Sequence, residues 1–254
     1  MKKQPKILRF LTLCLIPGLL GLVLRYFLYR FGIDEKGIVS SSNPLHLLCF
    51  VLVIATAAGL LPALKTMKKR DFRPGSAASL CRFLGGALAG VLMALSALGL
   101  FGGNTGLLSR ARGILALTAA AAMPLSVYAP REWKLPRLFG RALICLYFVV
   151  DMLSRYRDWS GNPQLPDYVF HVAALVCLSL CSYHRLAFCT GIGKRKAHGF
   201  FSLMAMMLCL MSLVGPEPKI FYLSGALWAG AGMCTLTPPV YPKKQITESQ
   251  EETP

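Results

Sequence analysis

The sequence predicts an all-helical, polytopic transmembrane bundle of about eight spans with both termini in the cytoplasm. Three observations carry that expectation. Hydrophobic residues make up 55% of the 254-residue chain and charged residues only 15%, with a mean hydropathy of +0.53. A soluble domain carries about 25% charged residues, so this chain lacks the polar surface to cover itself in water. Eight apolar runs approach the length of about 20 residues that an α-helix needs to cross the hydrocarbon core. Lysine and arginine, finally, divide unevenly between alternate loops.

The first run, near 8–28, follows Met1-Lys2-Lys3-Gln4-Pro5-Lys6 and resembles a secretory signal. A cleaved signal needs a small-x-small site after its apolar core, and this chain continues through Arg25-Tyr26-Phe27-Leu28-Tyr29-Arg30 instead. Cys14 follows Leu11-Thr12-Leu13, without the small residue expected before a lipidated cysteine. The run therefore reads as the first span. The others lie near 45–65, 81–101, 113–130, 138–154, 168–189, 199–215 and 220–237. Lipid offers no partner to a bare backbone amide, so each is expected to be a helix. Strand-like alternation with turns every ~10 residues, the mark of an outer-membrane barrel, is missing.

The fifth span is the weakest, because its core from Ala142 to Val150 is short and ends at Asp151. Only the turn Gly215-Pro216-Glu217-Pro218-Lys219 separates the seventh from the eighth. Short loops leave no room for a soluble domain, so residues 1–242 read as one membrane domain. The polar remainder, 243–254, reads as a disordered cytoplasmic tail.

Charge sets the orientation. Eighteen basic residues fall in one set of segments: Lys2 to Arg9, Lys65 to Arg73, Arg131 to Arg141, Lys194 to Lys196, and Lys243 with Lys244. The opposite set holds seven: Arg30, Lys36, Arg110, Arg112, Arg155, Arg157 and Lys219. Positive charge gathers on the cytoplasmic side, which places both termini there. Without the fifth span the 194–196 run would fall outside, so the charge pattern favours keeping it. The basic loops would attract anionic lipid headgroups. A bacterial cytoplasmic membrane is the location that the compact chain suggests.

The formal charge of +17 does not point to nucleic acid, because no basic stripe with interleaved aromatics gathers on one face. All nine cysteines lie in or beside apolar runs and read as reduced packing residues rather than a disulfide framework. No phosphate-binding Gly-rich loop, His-Glu-x-x-His or Gly-x-Ser-x-Gly occurs, and no cofactor is expected.

Several features recur at an offset of 125 residues, pairing Arg30 with Arg155, His46 with His171, Lys69 with Lys194 and Arg70 with Arg195. They raise a 4+4 parallel repeat, as found in some transporters. The register fails later, at the loops 102–112 and 215–219.

Candidate site residues gather at the expected outer face: Arg25, His46, Asp151, Arg155, Asp167 and His171. Asp151 is the single carboxylate inside a proposed span, and a carboxylate near lipid must be paired, neutralised or wetted. Asp167 and His171 are four apart and share a helix face. The group reads as a pocket for an anion, a proton or a metal, or more simply as snorkelling and interfacial anchors, the reading the spacing favours. In the sixth span Cys177, Cys181 and His184 fall in one narrow arc and could hold a transition metal, although ordinary packing explains them better.

Small-residue pairs, Gly86 with Gly90 and Gly225 with Ala229, allow close helix approach inside the monomer or in a homo-oligomer. Three functions follow in order: a small-molecule or ion transporter or permease-like subunit; a non-catalytic sensor, scaffold or partner subunit of a membrane complex; and, well behind, an intramembrane enzyme. The shortage of paired acid and base counts against the last.

Overall fold

The computed structural model describes residues 6–32, 43–66, 76–101, 107–128, 134–160, 165–215 and 218–234. All of the regular structure there is helical. The helices are α1 (Lys6–Phe31), α2 (Pro44–Thr66), α3 (Ser76–Gly99), α4 (Leu107–Tyr128), α5 (Lys134–Ser160), α6 (Leu165–Ala187), α7 (Arg195–Met211) and α8 (Lys219–Cys234). Five carry segments long and apolar enough to cross a membrane: Phe10–Phe31, Pro44–Lys65, Arg82–Gly99, Leu108–Tyr128 and Tyr168–Ala187. Apolar side chains cover the outer faces of these helices, among them Ile16, Leu47, Ile54, Leu84, Val91 and Ile114. Exposed apolar area on this scale marks a surface that meets something other than water. The chain is thus compatible with a membrane protein.

The other three helices differ for physical reasons. The structure makes α5 the longest element, at 27 residues. The short apolar core seen in the sequence is therefore not the length of the helix. Past Val150 the helix continues because Asp151 meets Arg155 one turn on, so the charges are satisfied along the helix itself. Helices α7 and α8 have 17 and 16 residues and span about 25 Å, somewhat less than the ~30 Å hydrocarbon core. Their surfaces are mostly spent on neighbours. Met204, Met206, Met207 and Met211 of α7 and Phe221, Tyr222 and Trp228 of α8 are buried in one continuous core. α7 packs against α1, α2, α6 and α8, while α8 also packs along α3; α3 meets α4, α4 meets α5, and α5 meets α6.

Local chemistry fixes the helix ends. Asn43 caps α2, its side-chain oxygen accepting from the Leu45 amide at 3.0 Å, and Pro44 follows at the first helical position, where no amide is needed. At the other end Lys196 donates to the Lys65 carbonyl at 2.8 Å. Gly191, with φ of 80°, turns the chain between α6 and α7, and Ile192 and Gly193 both donate to the Ala187 carbonyl.

The glycine faces are occupied within the monomer. A Cβ at Gly86 would come within 2.8 Å of Val127, and one at Gly225 within 2.8 Å of Leu178. Beside that second contact Ser224 donates to the Ala89 carbonyl at 2.7 Å, fully buried between α8 and α3. Ser224→Ala leaves that carbonyl without this donor, so we expect a loss of about 1 kcal/mol, read as a lower unfolding midpoint in detergent.

The eight cysteines with described side chains are all unbridged. Asp34, Glu35, the 67–75 loop and the 243–254 tail lie outside the described residues.

Candidate functional site: a buried charged cluster between four helices

Asp151 and His171 are 0% exposed, Arg25 1%, Arg155 5% and His46 6%. Interfacial anchors would hold their polar ends in water. These side chains instead turn into the bundle.

Asp151 is held from two helices. Arg155 Nε donates to Oδ2 at 2.7 Å, and Arg112 Nε lies 3.3 Å from Oδ1. Arg112 Nη1 also donates to Ser154 Oγ at 3.1 Å, so α4 grips α5 at two successive turns. Removing a lone carboxylate from water costs several kcal/mol, and two guanidiniums at these distances offset much of that. The Arg155 guanidinium lies 4.6 Å from the centroid of the Phe221 ring, which fixes its place against α8.

His171 faces the same region from α6. Arg25, on α1, donates through Nη1 to the Met211 carbonyl at 3.0 Å, near the end of α7. Its Nη2 lies 3.4 Å from His171 Nε2. A guanidinium can only donate, so Nε2 is the acceptor and the imidazole proton sits on Nδ1. Nδ1 is buried, and no hydrogen-bond acceptor meets it among the described residues. A donor in that position is directed at something a ligand could supply. Tyr222, at 4.9 Å between ring centroids, and the stacked pair Trp159 and Tyr168 frame the imidazole.

The turn after α7 closes over this wall. Gly215 has φ of 144°, a conformation that side chains rarely adopt, and a Cβ there would lie 3.0 Å from His171 Nε2. Only glycine lets the α7–α8 turn pass so close to the imidazole.

Of the six residues named from the sequence, the structure joins Asp151 with Arg155 and Arg25 with His171. His46 stands one ring away, with its edge on Phe50 and on Phe170, the ring that Arg25 also overlies at 5.2 Å. Asp167 lies in the first turn of α6, and its side chain is outside the described residues. Sequence reasoning missed Arg112, which counted only as a loop charge, because α4 begins earlier than the apolar run and carries it into the bundle. No spacing rule links positions 112 and 151.

The cysteine arc is packed rather than convergent. Cys181 accepts from Ser202 at 3.4 Å, while His184 stacks on Phe201. Among the described residues no three His, Cys, Asp or Glu side chains are grouped to hold a metal ion.

No protein family, curated protein or solved structure matches the chain.

Proposed function

We propose that the protein is a permease-like membrane subunit that binds a small ion or charged solute at the Asp151–His171 cluster. One observation carries the reading: the buried Nδ1 of His171 on α6, without an acceptor among the described residues and set near charged groups from α1, α4 and α5. Ionisable groups inside an apolar bundle are costly and mark a ligand or ion path by default. The missing partner at Nδ1 is an acceptor oxygen or an anion. With all eight helices taken as spans of a cell membrane and both termini cytoplasmic, the cluster lies toward the outer side. Basic segments such as Lys194 to Lys196 then face the anionic headgroups of the inner leaflet.

A second reading, a non-catalytic scaffold or partner subunit, has its own support. Arg25 ties α1 to α7, and Arg112 ties α4 to α5, as a purely structural staple would.

Trp159 distinguishes the two, because its ring centroid is 6.2 Å from that of His171. In a Trp133→Phe, Trp228→Phe background its emission is followed during titration with sodium chloride, potassium phosphate and sodium acetate. Ligand binding gives a saturable change with one of these salts, which His171→Ala abolishes while the unfolding midpoint stays close to that of the background. No saturable response to any of the three favours the scaffold and overturns the permease reading.

A further inference from the structure

Arg185 occupies the last turn of α6, at the opposite end of the helix from His171, and is 2% exposed. Its guanidinium stacks on Trp228, 3.8 Å from the ring centroid, and Trp228 Nε1 is held by Ser182 Oγ at 3.2 Å. Stacking engages only the flat face of the guanidinium. The five N–H donors lie in its plane and cannot turn toward the ring.

Nε, Nη1 and Nη2 of Arg185 are all buried, and none has a hydrogen-bond partner among the described residues. The charges around it add to the demand. Arg141, Arg82 and Arg137 are the cations whose fields act on it. Arg141 Nη1 donates to the Arg185 carbonyl at 2.9 Å, which brings α5 directly beside it. His198, within reach of the Cys181 and Gly232 carbonyls, supplies no negative charge. Arginine does not shed its proton inside proteins. A ring face and a helix C-terminus each return only a fraction of what a desolvated cation costs.

Among the described residues a counter-charge is what this end of the bundle lacks. We propose that Arg185, with Arg141 beside it and Arg82 adding its positive field, forms an internal site for a phosphate oxyanion at the end of the bundle expected to face the cytoplasm. Phosphate suits it because planar guanidinium forks meet its several oxygens two at a time. The group can arrive on an anionic phospholipid or as free phosphate. The site shares no residue with the Asp151–His171 cluster and does not depend on the function proposed there.

The test reads the unfolding midpoint of the full chain in two arms. Delipidated protein in detergent is titrated with inorganic phosphate against chloride at matched ionic strength. In parallel, protein is held in nanodiscs of phosphatidylcholine with and without phosphatidylglycerol. A rise with free phosphate assigns a soluble ligand, and a rise with phosphatidylglycerol alone assigns a lipid headgroup.

In either case Arg185→Gln removes the rise. Arg82→Gln, on a half-buried side chain, weakens the apparent affinity about tenfold, the worth of one charge-assisted hydrogen bond. Should Arg185→Gln fail to fold, Arg82→Gln carries the same comparison. No rise in either arm overturns the site. So does a rise that both variants keep in full, since binding would then lie on the exposed basic loops.

Discussion

Replacing Asp151 by alanine is expected to destabilise the folded bundle by about 3–5 kcal/mol, the cost of breaking a buried ion pair by removing one partner. Arg155 loses the oxygen at 2.7 Å and Arg112 the one at 3.3 Å, while both guanidiniums remain charged. Asp151→Asn keeps the shape and one acceptor oxygen, so its loss is smaller. In a double-mutant cycle Asp151→Ala with Arg155→Met loses less than the sum of the single changes, because the pair leaves together. Unfolding of the parent and these four variants in detergent, followed by circular dichroism, measures all of this. A cost for Asp151→Ala below about 1 kcal/mol, the worth of an exposed pair, would mean that the carboxylate is solvated.

The second large effect is expected at Gly90. Pro124 cannot donate to the Ala120 carbonyl one turn before it, so α4 carries a backbone oxygen with no helical partner. Gly90 of α3 packs directly onto that point, where a Cβ would sit 2.8 Å from the Ala120 oxygen and 2.9 Å from the Pro124 ring. Backbone and ring cannot swing aside as the end of a flexible side chain can. Gly90→Val therefore forces α3 and α4 apart, at about 3 kcal/mol, the upper part of the usual overpacking range. At Gly59 a Cβ meets nothing within 4 Å, so Gly59→Val serves as the control. Comparable unfolding midpoints for the two variants would contradict the close α3–α4 contact.

Eight helices were legible because apolar runs long enough for hydrocarbon are a one-dimensional property of the chain. Their ends were less so. Apolarity marks where a helix meets lipid, but a helix continues wherever its charges find partners. That is why α5 runs through Asp151 and Arg155 to Ser160, and why α4 begins early enough to include Arg112.

The candidate cluster was legible in part. His171 and Asp151 stood out as polar groups against an apolar background, whereas Arg112 meets Asp151 only through the packing of α4 on α5. Arg185 was hidden for a different reason. A basic residue near a helix C-terminus reads as a solvated anchor, and only the Trp228 ring and the side chains around it reveal that it is buried.

Extraction of the native membranes tests the central claim most directly. If the outer faces of α1, α2, α3 and α4 lie against lipid tails, the protein stays in the pellet through high-salt and alkaline carbonate washes and enters solution only with detergent. Release by carbonate alone, as a monodisperse species in plain buffer, would contradict the account.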